Sequence, residues 1–225
     1  GRKESKMFVR VAHYLLMAML ILLSFAFGLT GPEWHEVVGL EFIAVAFSHL
    51  VLNRWWFRML IERRSMIQPC AKITNILLLV ATLVMLVTGL MQSHLFNLFA
   101  DQGAGLNLRR YHTIAAYWMF ILSAWHIGLH VPVWAALKNR LLLNKPILAS
   151  IVNGALWPAL TVISIYGAFF AFIRDFVHKL FGLSTFDFWD FQAAPFGFFI
   201  GYVCVAIFIA VLPALWIKAK TQWLN

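Results

Sequence analysis

Histidine is the residue that most invites a chemical reading here. "RRYHTIAAYWMFILSAWHIGLH", Arg109 to His130, sets His112, His126 and His130 into an otherwise apolar run. "WHEVVGLEFIAVAFSHLVLN" does the same with His35 and His49. In both stretches the first two histidines stand fourteen positions apart. On an α-helix fourteen residues return to the same face within about 40° and advance about 21 Å. Each helix would therefore present one imidazole near either end of a membrane span. An ionisable side chain in lipid is costly, and by default it marks a functional position. Imidazole is a haem-iron ligand, and facing helices of bundles commonly build such sites. The frame thus predicts two flat, iron-centred cofactors, His35 opposite His112 at the outer level and His49 opposite His126 at the inner. Zinc fits less well, because each level offers two obvious ligands and no intramembrane cysteine or carboxylate joins them. Glu36 stands at a boundary, and Glu41 turns off the histidine face.

The elements that must carry these residues are oily. The 225-residue chain is 62% hydrophobic and 12% charged, where a soluble domain holds about 25% charged residues. Six runs approach the roughly 20 residues needed to span a bilayer, at about 8–29, 36–57, 73–95, 111–135, 147–173 and 196–217. The expected fold is an all-α integral membrane protein of six transmembrane helices. A haem-bearing four-helix core would occupy 1–138, and two added helices 139–225. Pro158 and Pro213 are expected to kink the added pair. Residues 1–28 have the basic start of a signal peptide, but the apolar part is long and no small-x-small cleavage site follows, so the first run is expected to remain as a span.

The net charge of +9 encodes orientation and not nucleic-acid binding. With six spans, fourteen of the eighteen Lys and Arg fall on one side. They include Arg2, Lys3, Lys6 and Arg10, then Arg54, Arg58, Arg63, Arg64 and Lys72, then Lys138, Arg140 and Lys145, and finally Lys218 and Lys220. Positive residues stay in the cytoplasm on insertion, so both termini should be cytoplasmic. Cys70 and Cys204 stand far apart, without C-x-x-C or C-x-x-C-H, which leaves thiol chemistry and c-type haem attachment unsupported.

Helices 1–2 and 3–4 read as copies. "LILLSFAFGLTG" leading to the first histidine frame resembles "LVMLVTGLM" leading to the second, and aligning His35 with His112 aligns His49 with His126 without a gap. Other positions have weaker readings. His13, in "RVAHYLL", is a reserve inner ligand at the depth of His49. His130, one turn beyond His126, is a second reserve, as ligand, propionate partner or proton carrier. His94 and His178 read as interfacial. Gly28, Gly31, Gly39 and Gly128 allow close approach of a macrocycle or of a helix. Arg109 and Arg110 suit the propionates of an outer haem, and Arg54, with Arg58, those of an inner one. Trp34, Trp55, Trp56 and Trp134 read mostly as an aromatic belt. The loop "HKLFGLSTFDFWDFQAAPFGFF", with Phe186, Phe188, Trp189 and Phe191 around Asp187 and Asp190, is expected outside as a docking surface for a redox partner or as an interfacial anchor.

"GLTG…WHEVVGLEFIAVAFSHLVLNRWWF" and "RRYHTIAAYWMFILSAWHIGLHVPVW" together resemble the flavinylation-associated di-haem membrane cytochromes b, over about residues 10–137. That resemblance implies a bacterial inner-membrane, multi-pass protein with two haem b groups. It would pass electrons between a quinol or quinone pool, or another inner donor, and an extracytoplasmic, flavin-bearing redox partner. The chain itself has no flavin or nucleotide fingerprint. "RVAHYLLMAMLILLSFAFGLTG" also resembles the first helix of cytochrome b subunits of formate dehydrogenases and hydrogenases. There the ligand positions correspond to His13, His35, His112 and His126, which implies an anchoring subunit of a respiratory complex. A non-haem transporter using histidines as a proton relay is the alternative from a different class.

Overall fold

The computed structural model describes residues 2–61, 69–96, 106–185 and 188–222, and every regular element among them is an α-helix. The order is α1 (Arg2–Phe25), α2 (Phe27–Leu52), α3 (Trp55–Ile61), α4 (Pro69–Gln92), α5 (Leu106–Leu129), α6 (Val131–Leu141), α7 (Pro146–Ile173), α8 (Phe176–Leu180) and α9 (Gly197–Gln222). The chain is a multi-pass membrane protein by the length and apolarity of its helices. Among the described residues α2, α4, α7 and α9 each suffice to cross a bilayer, and α5 with α6 makes a fifth span if that bent pair is one.

Three of the six expected runs differ in detail. The apolar part of α1, Val9–Phe25, is shorter than the helices that suffice alone. The run expected at 111–135 is broken: α6 departs from α5 at 56°, with His130 at the break (φ −91°, ψ 14°). Pro132 stands at the start of α6, where its fixed φ suits a helix beginning and its missing N–H costs nothing. The run expected at 36–57 likewise stops at Leu52, and Trp55–Ile61 forms its own short helix. Pro158 and Pro213 lie inside α7 and α9.

Two helical hairpins face each other. Ala26, fully buried, joins α1 to α2, and the chain turns at Gly31 (φ 70°) before Pro32 restarts the helix. That positive φ is a glycine conformation. The second hairpin is α4 with α5, and α9 packs along both α5 and α7. Small residues make the last two approaches possible. A Cβ at Gly128 would overlap the carbonyl of Ala210, and one at Gly167 the carbonyl of Cys204. The largest fully buried side chains are Tyr202, Phe170, Phe198, Val205 and Pro213, all on α7 and α9. All but Pro213 join Phe25, Tyr117, Phe120 and Phe176 in one largely aromatic core, where the hydroxyls of Tyr117 and Tyr202 are 2.7 Å apart. The core thus crosses the boundary expected near residue 138.

The loop between α8 and α9 packs into that core. Trp189 and Phe191 are partly buried against it, and Phe191 covers Gly28 at the α1–α2 junction. The Trp189 indole N–H donates to the Ala194 carbonyl (2.9 Å), and Asp190 accepts from the N–H groups of Gln192 and Ala193. Arg174 donates to the Phe188 carbonyl (2.7 Å) and lies 5.3 Å from the Trp189 ring centre. Trp189 and Phe191 thus pack into the core and hold the loop down, and among the described aromatics of this stretch the exposed ones are Phe181, Phe188 and Phe196. Phe186 and Asp187 lie outside the described residues, as do Arg63 and Arg64.

Lys179 on α8, beyond the spans, is buried, with its ammonium 5.4 Å from the Tyr117 ring centre. Burial, reinforced by Arg174 and opposed by Asp175, pushes its pKa from 10.5 down to about 8. Between those values the unfolded chain holds a proton that the folded chain does not, so stability should rise with pH from about 8 towards 10.5 and be flat below. Thermal midpoints of the chain and of Lys179→Met, compared across that range, check this. A parallel pair of pH profiles would count against it.

Candidate functional site

The histidines gather at two levels, labelled outer and inner after the orientation expected from the basic residues. At the outer one, Pro32 sets the start of the continuous part of α2 and puts His35 in its first turn, while His112 stands near the start of α5. The two rings face each other across separate helices, centres 6.2 Å apart and planes at 73°. Nδ1 of His112 lies 3.1 Å from the Met85 carbonyl and 3.2 Å from the Thr88 hydroxyl oxygen. Thr88 lies within donating distance of the Val84 carbonyl (2.7 Å). A carbonyl only accepts, so these partners put the His112 proton on Nδ1 and leave the Nε2 lone pair free. Nδ1 of His35 is buried without a hydrogen bond of normal geometry, with the Ser24 carbonyl close by.

The surroundings fit these rings. A Cβ at Gly89 would come within 3.2 Å of His112, so glycine makes room for the imidazole. Gly39, one turn beyond His35, has nothing within 4 Å on its open side. Glu36 ties the level together: its carboxylate accepts from the Ser93 hydroxyl (2.7 Å) and from the N–H groups of His94 (2.9 Å) and Leu95 (3.1 Å). It thereby fixes the start of α2 against the chain leaving α4.

The inner level brings four histidines together. His13 of α1 and His49 of α2 lie 6.1 Å apart, nearly parallel at 13°. The Tyr14 ring stands edge-on to His49 at 5.6 Å. His126, in the last turn of α5, is 4.6 Å from His130. His126 Nδ1 lies 2.7 Å from Oδ1 of Asn75 on α4, and Nε2 of His13 lies 3.4 Å from the Ser48 hydroxyl. His49 has Nε2 3.5 Å from the Asn53 amide and Nδ1 buried without a partner. His49, His126 and His130 are near enough to feel one another's charge. The ring contacts at this level are His49 with His13 and His126 with His130. Among the described residues no three His, Cys, Asp or Glu converge on a point where a metal ion could sit.

An apolar layer separates the levels. Phe42 lies midway between His35 and His49, and Met119 midway between His112 and His126. Both are buried, in one cluster with Leu20 and Val38.

Of the basic residues, Arg109 and Arg110 are exposed one turn before His112, the Arg110 stem lying against Gly182. Arg54 is exposed in the break between α2 and α3. Gly128 serves helix packing on α9. Sequence reasoning missed Asn75, Thr88 and the Met85 carbonyl. Asn75 had a signal, being the lone side-chain amide in the run from Ile73 to Met91, whereas nothing local marks a backbone carbonyl. The chain matches no family model, no curated protein and no solved structure.

Proposed function

We propose that the chain is a di-haem membrane cytochrome b that carries electrons across a bacterial inner membrane. The electrons would pass between a quinol pool or another inner donor and an extracytoplasmic redox partner. The observation that carries this reading is the outer pair, two imidazoles from separate helices with ring centres 6.2 Å apart. Two imidazoles on one metal, each at a bond length of about 2 Å, have ring centres about 6 Å apart. His112, its Nδ1 committed to the Met85 carbonyl, offers Nε2 for ligation. The open side of Gly39, one turn from His35, suits a flat macrocycle.

When bound, haem b supplies a one-electron iron couple. The residues that would hold it are His35 and His112 outside and His126 inside, with His13 or His49 as the fourth ligand. Arg109 and Arg110 are candidates for the outer propionates and Arg54 for the inner. Six spans with both termini cytoplasmic belong to the same proposal. They rest on the distribution of Lys and Arg and on α1 packing Met17, Leu20 and Ile21 against Val38 and Phe42.

The stacking of His13 on His49 favours a second reading, a cytochrome b anchor subunit of a respiratory dehydrogenase or hydrogenase with His13 as the inner ligand. The layer of Leu20, Val38, Phe42 and Met119 opposes the histidine-relay transporter, because it interrupts the polar path a proton would need. Purified chain should show a b-type Soret band and two haems per polypeptide. Its absence at full helical content would end the cytochrome reading in both forms.

A further inference from the structure

Both histidines of α5 turn Nδ1 towards α4, but they meet different groups there. His112 meets the Met85 backbone carbonyl at 3.1 Å, an acceptor no substitution can remove. His126 meets Oδ1 of Asn75 at 2.7 Å, an acceptor that belongs to one side chain. Asn75 sits among apolar residues on a helix that crosses the membrane. Among the described residues, its one side-chain hydrogen bond is to His126. A side-chain amide in lipid gains from bonding to a neighbouring helix and little from solvent.

We propose that Asn75 is a positioning residue for His126. Its carbonyl oxygen accepts a hydrogen bond from Nδ1–H, fixes the tautomer and the ring plane, and leaves Nε2 with its lone pair directed away from α4. The inference rests on the haem reading for its functional meaning, since a partner on the far nitrogen raises ligand basicity and tunes the metal it holds. The tautomer it sets is a property of the chain alone. The arrangement also makes the two levels unequal. The outer ligand is oriented by backbone geometry, whereas the inner one answers to a single substitution. A carboxylate at 75 would draw the Nδ1 proton more strongly and make the imidazole a better electron donor. An aliphatic side chain would leave Nδ1 with no acceptor from α4.

The test uses the full chain in lipid nanodiscs, with Asn75→Asp and Asn75→Leu beside the unaltered protein. Redox titration should move the inner midpoint potential down in Asn75→Asp and up in Asn75→Leu, with the outer one unmoved. Asn75→Leu should also bind the inner haem about 10–100-fold more weakly. Nitrogen chemical shifts of labelled histidine should show His126 as the Nδ1–H tautomer in haem-free unaltered chain and as a mixture in Asn75→Leu. Unmoved potentials with both haems bound, or an unchanged tautomer, would overturn the proposal. If the unaltered chain binds no haem, the cytochrome reading fails, and the tautomer still decides the role of Asn75. Should Asn75→Leu fail to insert, Asn75→Asp, which keeps an acceptor at that place, carries the same decision.

Discussion

Replacing His112 with Ala should take the haem content of the purified chain from two per polypeptide to one, and His35→Ala should remove the same one. The two rings face each other 6.2 Å apart from different helices, so each is the other's partner across whatever lies between them. Losing a residue that merely supports a ligand costs about 10–100-fold in metal affinity, and losing the ligand costs more. His126→Ala should remove the inner haem. Its partner is decided by comparing His13→Ala with His49→Ala, because those rings stack side by side at 6.1 Å. If His13→Ala empties the inner level and His49→Ala does not, the dehydrogenase-type ligand set holds. Haem-to-protein ratios and reduced-minus-oxidised spectra provide the measurement. Full haem content in both His35→Ala and His112→Ala would remove the outer pair from the site.

The second large effect is expected where α5 and α7 pack on α9. Gly167→Val and Gly128→Val should each destabilise the bundle, because a Cβ at either place meets a backbone carbonyl of α9. Backbone cannot swing aside as a flexible side chain can, so the helices must separate. Overpacking typically costs about 1–3 kcal/mol, and more where nothing relaxes. In lipid the loss is sharper, since small residues at interfaces are what let helices associate. Cys204 and Ala210 are more than a helical turn apart, so the two penalties should roughly add. Gly154→Val is the control: it lies on the same helix as Gly167, with nothing within 4 Å of its would-be Cβ. Thermal denaturation in detergent should separate the three. Equal midpoints for Gly154→Val and Gly167→Val would show that close packing of α7 on α9 is not what holds the bundle.

The histidine frame and the apolar runs were legible because both follow from arithmetic on a single helix. Fourteen residues return to one face whatever lies opposite. What lies opposite is tertiary, and there the reading was less complete. The ring of His35 comes within 6.2 Å of that of His112, and the ring of His49 stacks on that of His13. The breaks were also hidden. In lipid the outward face of a helix is as apolar as the inward one, so composition runs smoothly through His130, where the helix bends. Gly31 turns the chain through one residue's φ, which hydropathy does not record. The aromatic loop misled for a related reason: Trp189 and Phe191 read alike whether they face a partner or fill a gap, and they fill one beside Phe198 and Gly28.

The layer formed by Leu20, Val38, Phe42 and Met119 has a bearing on energy conversion. None of these side chains can pass a proton along, so an electron crossing between the two proposed haems would travel without a compensating positive charge. Each crossing then displaces net charge through the bilayer's field, worth up to about 2.3 kcal/mol per electron for every 100 mV. A membrane that is negative inside would speed such electrons outward and hold back those moving inward. Collapsing the voltage should therefore slow outward transfer and speed inward transfer, with donor and acceptor potentials untouched.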